Sequence, residues 1–148
     1  FDFVYSTYLL HYIDDLDALF AEGWRVLEAG CMASLSVPET WIRNHPMAPY
    51  FPSFPRIDLA RFQPVEAVRR AMANAGFRRI GARVQTGPPE TIDAAYVARV
   101  EAKFVSTYAL LPREEFAAGL ARLKADVDRH GQLPETFRRQ TVTIWGYK

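Results

Sequence analysis

Two histidines and a run of aromatic residues are the groups in this sequence whose types suit chemistry. His11 follows two leucines and precedes an acidic pair, Asp14 and Asp15, while His45 lies in a stretch rich in proline and aromatic rings. An imidazole is poised near neutral pH, so each ring is a candidate general base or hydrogen-bonding group in a site. His11 reads equally as a ring packed near a helix start, and His45 as a solvated loop residue. Trp41, Tyr50, Phe51 and Phe54 are the right types to wall a small-molecule pocket, which is apolar with a few placed polar groups. They also suit anchors that pin a long loop to a core, and the two roles are compatible. Ser6, Thr7 and Tyr8 follow a β-prone run and, on residue type alone, read as a polar loop at a strand end. His11, His45, His130 and Cys31 are too scattered for a metal-site spacing. Neither a nucleophile elbow nor a phosphate loop occurs.

The elements that must position these residues are readable from periodicity. Phe1, Phe3, Val4 and Tyr5 form a short β-prone run that Ser6 and Thr7 break. Asp14 and Asp15 place carboxylates where a helix start favours them, and Leu16, Leu19, Phe20, Trp24 and Leu27 fall near helical spacing, with Gly30 as a C′ candidate. The run 31–38, ended by Pro38, reads as a strand buried on both faces, so residues 1–38 make a strand–helix–strand unit. Residues 39–63 carry Pro46, Pro49, Pro52 and Pro55 among their aromatics and are expected to be a long irregular loop of the kind that covers a site. A helix with Val65, Val68, Met72 and Ala75 on one stripe and a strand follow over 64–86, with the run Gly87, Pro88, Pro89 as a break. Residues 91–131 read as a helical hairpin. Its first stripe is Val97, Val100, Phe104, Tyr108 and Leu111, its second Phe116, Leu120, Leu123 and Val127, and Gly131 ends it. A final strand is expected over 137–148, with Val142 and Ile144 on one face.

The opening run FDFVYSTYLLHYIDDLDALFAEGWRVLEAG resembles a segment of class I S-adenosylmethionine-dependent methyltransferases, of the type 11 and type 25 kind. The resemblance rests on Phe1, Asp2, Phe3 and Val4, then Ser6, the pair Leu10 and His11, the acidic start at Asp14 and Asp15, and Arg25, Val26 and Leu27 with Gly30. It continues more loosely through Ala75, Gly76 and Phe77 to the end of the chain. One departure is Ala29, Gly30 and Cys31, where the family usually has Pro-Gly-Gly. The resemblance implies an α/β fold: the C-terminal half of a Rossmann-like methyltransferase sheet, its fourth to seventh strands, with the last strand antiparallel between the fifth and sixth and a helical hairpin inserted. It implies S-adenosylmethionine as cofactor, a small molecule as methyl acceptor, and Ser6, Thr7 and Tyr8 beside the methionine part of the cofactor. Trp41, Tyr50 and Phe54 then become acceptor-site candidates. The glycine-rich loop and the ribose-binding acid of the family would lie upstream of Phe1, so the expectation is an N-terminally truncated, inactive fragment.

Composition bounds the alternatives. The 148 residues are 49% apolar with a formal net charge of +1, enough for one core and no global field for nucleic acid or membrane. The basic pairs Arg69 with Arg70, Arg78 with Arg79 and Arg138 with Arg139 read as solvated faces rather than a nucleic-acid surface. Cys31 is the single cysteine, which excludes an intrachain disulfide and fits a reducing compartment, so the cytoplasm is the expected location. No segment is apolar for long enough to cross a bilayer. The competing reading is a non-catalytic α/β interaction module, because a half-sheet leaves the strand at Phe1 as an open edge that invites self-association.

Overall fold

The computed structural model describes the backbone of residues 1–148 and every side chain except those of residues 134 and 135. Its elements, in order, are β1 (Phe3–Thr7), a 3-10 turn (Leu10–Tyr12), α1 (Leu16–Val26), β2 (Cys31–Ser36), α2 (Glu39–Arg43), α3 (Ser53–Arg61), α4 (Val65–Asn74), β3 (Arg78–Asp93), α5 (Ala94–Glu101), α6 (Thr107–Leu110), α7 (Arg113–His130) and β4 (Gln132–Tyr147). One four-stranded sheet has the order β1-β2-β4-β3. β1 runs parallel to β2, with Phe3 opposite Cys31 and Thr7 opposite Leu35, and β4 runs antiparallel to β2, with Cys31 opposite Tyr147. That is the expected arrangement, with the last strand entering antiparallel next to the second. The chain forms two compact units. One comprises Phe1–Glu39, Arg61–Thr86 and Gln140–Lys148, and the other comprises Thr40–Ala60 and Gly87–Arg139.

In the first unit, α1 starts where the carboxylates predict. Asp15 is its N-cap, and Oδ1 accepts from the Ala18 amide at 2.9 Å. Replacing Asp15 by Ala should lower the unfolding free energy by about 1 kcal/mol, because one orphan donor of the first turn loses its acceptor; an unchanged urea midpoint would exclude that role. At the other end of α1, Lys148 Nζ donates to the carbonyls of Trp24 at 2.8 Å and Leu27 at 2.6 Å, a cation placed at the negative end of the helix. The core joins Phe20 and Leu27 with Met32 of β2, Val68 and Met72 of α4, and Val142 and Ile144 of β4. Gly30 departs from expectation. The helix ends at Val26, so Gly30 is no C′ residue but the turn into β2, at φ 134°, where a Cβ would strike the carbonyl oxygen of Asp2.

In the second unit, the prolines of 39–63 do not keep the chain irregular. Pro55 sits in the first turn of α3, where a helix needs no amide donor, so α2 and α3 form where a loop was expected. The hairpin is also segmented. α5 is capped by Asp93, which accepts from the Tyr96 amide at 2.9 Å, and closes at Lys103, whose φ of 52° turns the chain before α6. The predicted apolar spacing survives the break: Val97, Val100, Tyr108 and Leu111 are buried with Phe51, Phe54, Leu123 and Val127 in one core. Gly131 ends α7 as expected, donating to the Val127 carbonyl at 2.7 Å.

The strands are longer than their signals. Pro88 and Pro89 lie inside β3 instead of ending it, because β3 is the outer strand of the sheet, where a missing donor on the open side leaves no neighbour unpaired. β4 accordingly begins at Gln132 rather than at 137, beside the lengthened β3. Val142 and Ile144 are buried and alternate with half-buried Thr141, Thr143 and Trp145, the predicted two-faced pattern.

Candidate functional site

In the first unit, the groups of interest gather at the C-terminal end of β1. Tyr8 has φ 50°, a left-handed backbone that a bulky residue adopts at a cost of about 1 kcal/mol. The Tyr8 amide donates to the Leu35 carbonyl at 2.9 Å, which ties the turn to β2. The Ser6 hydroxyl is turned inward and donates to Ser34 Oγ at 2.9 Å, Ser34 itself being fully buried. Thr7 and Tyr8 are exposed. Ser6 and Thr7 thus continue β1 rather than break it, the exposed side chains of Thr7 and Tyr8 face solvent at its end, and Ser6 holds β1 to β2. The ends of parallel strands are where open α/β sheets receive ligands.

Leu10 is buried and anchors the turn that follows. It leaves His11 half-buried between two rings, Tyr12 at 4.0 Å and Phe62 at 4.4 Å between centroids. The Arg61 guanidinium lies 5.5 Å from the centre of the Tyr12 ring. Burial first, and then the Arg61 charge, lower the His11 pKa from its ordinary value. The ring is thus neutral at neutral pH, and its Nδ1 is buried without a hydrogen-bond partner among the described residues. A neutral imidazole with an unsatisfied nitrogen is able to accept a proton or a hydrogen bond.

In the second unit, His45 is placed differently. It stacks on Phe54 at 4.2 Å and meets Trp41 edge-on at 5.5 Å, and its Nδ1 accepts from the Met47 amide at 3.2 Å. Burial, aided by the Arg139 charge, pulls its pKa down to about 3. A ring of such low proton affinity is too weak a base to hold a substrate proton near neutral pH, so its evident work is packing and accepting one amide. Phe54 is only 1% exposed and belongs to the core, with Tyr108 edge-on at 5.1 Å. Trp41 is half-buried against Phe137 at 5.8 Å.

Of Trp41, Tyr50 and Phe54, Tyr50 lines a cavity. A cleft of about 430 Å³ is lined by Tyr50, Pro46, Ile92, Asp126, Leu133 and Phe137, among others. The Tyr50 hydroxyl donates to Asp126 Oδ2 at 2.8 Å, and the Arg122 guanidinium donates to the Tyr50 carbonyl at 2.9 Å. Asp126 carried no sequence signal, since it lies one residue before Val127 on what reads as the solvated side of α7. Ile92 comes from the extension of β3 and Leu133 from the extension of β4 that periodicity missed, whereas Phe137 opens the strand expected over 137–148. No group of acids, histidines and cysteines able to hold a metal occurs among the described residues, and no described helix is long and apolar enough to cross a membrane.

No protein-family model and no curated protein sequence matches the chain. Solved structures match in fold. A protein of Anabaena variabilis assigned as a methyltransferase from an antibiotic biosynthesis pathway aligns over 96% of this chain and 65% of its own, with 19% identity and TM-score 0.64. The YcgJ protein of Bacillus subtilis aligns over 100% of this chain and 64% of its own, with 17% identity and TM-score 0.49. Phosphoethanolamine N-methyltransferase 2 of Haemonchus contortus, solved with S-adenosyl-L-methionine, aligns over 100% and 33%, with 15% identity and TM-score 0.47. The chain thus spans 65% of the length of the Anabaena protein and no larger share of the other two. Strand order, the antiparallel β4 beside β2 and the match to the Anabaena structure agree: the chain has the Rossmann-like fold of class I S-adenosylmethionine-dependent methyltransferases, in its C-terminal half.

Proposed function

We propose that the chain is the acceptor-side part of an enzyme that transfers a methyl group from S-adenosylmethionine to a small molecule. The observation that carries this reading is the sheet order β1-β2-β4-β3 with Thr7 and Tyr8 exposed at the C-terminal end of the parallel pair. When bound, the cofactor supplies an electrophilic methyl on a sulfonium, and the barrier to in-line displacement falls mainly through positioning and exclusion of water. In this reading the backbone of Thr7 and Tyr8 lies along the cofactor's methionine part, and Ser6 fixes that turn through Ser34. His11 is the base candidate carried forward, because its ring is neutral and its Nδ1 awaits a partner. Tyr50 walls the acceptor cleft, while Trp41 and Phe54 support the segment that carries it.

The residues present fit such a cofactor only along one edge. The glycine-rich loop and ribose acid that the resemblance requires have no counterpart in these 148 residues, so the proposal includes a longer functional protein and an inactive isolated chain. Calorimetric titration of S-adenosylhomocysteine into this chain and into a version extended upstream tests it. Binding to the extended protein alone is expected, and binding to neither would sink the reading. In the extended enzyme, Tyr50→Ala should lower acceptor turnover about ten-fold or more while leaving cofactor affinity within about two-fold. Equal losses in both would refute the acceptor assignment.

A second reading is favoured by one observation. β1 is an edge strand whose Phe3 and Tyr5 are 55% and 69% exposed and stacked on each other at 5.8 Å. Such a face suits an interaction module that pairs with a protein partner or a second copy. Concentration-dependent association of the extended protein that Tyr5→Lys abolishes, together with no cofactor binding, would favour this module over the enzyme.

A further inference from the structure

The cleft beside α7 has a chemistry that its size alone does not give. Most of its wall is apolar: Tyr50 and Phe137, the prolines 46 and 49, and Ile92 and Leu133. Set into that wall is the half-buried carboxylate of Asp126. Its hydrogen-bond partner among the described residues is the Tyr50 hydroxyl, at 2.8 Å on Oδ2. Cations of the same unit have partners of their own, and the Arg122 guanidinium lies 5.9 Å from the centre of the Tyr50 ring. Arg122 donates to the carbonyls of Pro49 at 3.3 Å and Tyr50 at 2.9 Å, Lys124 pairs with Glu101 at 2.7 Å, and Arg139 pairs with Glu90 at 3.3 Å. His130, exposed and one turn beyond Asp126, lies at the rim.

A carboxylate in an apolar concavity is costly until a cation compensates it, and aromatic faces attract the same kind of ligand through their quadrupoles. We propose that this cleft binds a small organic cation, an ammonium carried on an apolar body, with Asp126 as its counter-ion and the rings of Tyr50 and Phe137 around it. A neutral ligand of the same shape leaves the carboxylate uncompensated, and an anion is repelled by it. This names the substrate class of the cleft. It rests on the methyltransferase reading only in making the bound amine the methyl acceptor, a step in which the ammonium first gives its proton to solvent and the freed nitrogen lone pair then takes the methyl as the sulfonium C–S bond breaks and S-adenosylhomocysteine leaves.

The test is a calorimetric comparison on this 148-residue chain, without any cofactor. The probes are phenethylamine, which is cationic at pH 7, and 2-phenylethanol, its neutral counterpart. The amine should bind about ten-fold tighter than the alcohol. Asp126→Asn should abolish that preference, and Asp128→Asn, an exposed neighbour on the same helix, should keep it. Equal binding of the two probes by the wild-type protein overturns the proposal, as does an Asp126→Asn variant, folded by circular dichroism, that still prefers the amine. Because the wild-type comparison needs no variant, the proposal stays exposed to refutation even if Asp126→Asn does not fold. S-adenosylhomocysteine plays no part in the measurement, so a failure here is separate from a failure of the methyltransferase reading.

Discussion

Acidifying the protein from pH 6.5 to pH 3 should cost it stability at about 1.4 kcal/mol per pH unit through His45 alone, on the order of 4 kcal/mol over the whole interval. The ring is held near pKa 3 in the fold against an ordinary value of 6.5. Protonation is therefore far easier in the unfolded chain, which binds the extra proton throughout that interval. Stability from this source is complete above pH 6.5 and is lost as the pH falls. Two features of the fold, burial and a neighbouring charge, produce the depression. Phe54 at 4.2 Å and Trp41 at 5.5 Å take the place of water around the ring. The Arg139 charge repels an imidazolium. Protonation at Nδ1 would also displace the Met47 amide, which now donates there at 3.2 Å. The comparison to make is with His45→Asn, whose amide oxygen is able to accept from Met47 but does not titrate. The variant should be less stable at pH 7, having lost the stack on Phe54, and should lose less on acidification. Carboxylates common to both proteins cancel in the difference, and so does His11, whose lowered pKa acts with the same sign. A difference in urea midpoints that stays constant from pH 7 to pH 4 would contradict the argument.

The contrast between His11 and His45 shows where residue type and spacing carry the argument and where they stop. Both rings were eligible bases on sequence. Only the fold separates them, because desolvation depends on what packs against a ring from distant parts of the chain: Phe62 for His11 and Phe54 for His45. Local signals were dependable where local chemistry decides. Asp15 caps α1, Gly131 closes α7, and the alternation around Val142 and Ile144 is that of a strand with one face buried. They failed where tertiary context overrides propensity. Pro55 and Pro88 read as breakers, yet one occupies a first helical turn and the other an outer strand, the two settings in which a missing amide proton is harmless. The cleft was half legible. Tyr50 stands out by its type, but Asp126 is one polar residue among many on α7, and only the 2.8 Å bond from Tyr50 distinguishes it.

Phe51 should prove the residue on which the second unit depends most, with Phe51→Ala costing about 3–5 kcal/mol. That is a large share of the roughly 5–15 kcal/mol that hold an ordinary domain together. The ring is fully buried, stacks on Phe116 at 5.9 Å and presents its face or edge to Tyr108 at 5.4 Å. It also packs where Gly119 of α7 meets Tyr50 and Phe51. A Cβ added at Gly119 would strike the Tyr50 carbonyl oxygen and lie 2.6 Å from the Phe51 ring. Gly119→Ala should therefore cost about 1–3 kcal/mol by overpacking. The two changes share one space, so they should not add. Removing the ring takes away one of the two collisions, and the double variant should retain about 0.5 kcal/mol or more over the sum of the single losses. Strict additivity in urea unfolding would mean that the Tyr50 carbonyl alone resists the added methyl. The same contact reaches the cleft. Phe51 and Tyr50 are adjacent, and the Tyr50 hydroxyl must stay in place to meet Asp126 at 2.8 Å. A milder Phe51→Leu change, tolerated by the fold, should thus weaken amine binding several-fold, because it loosens the residue that orients the counter-ion.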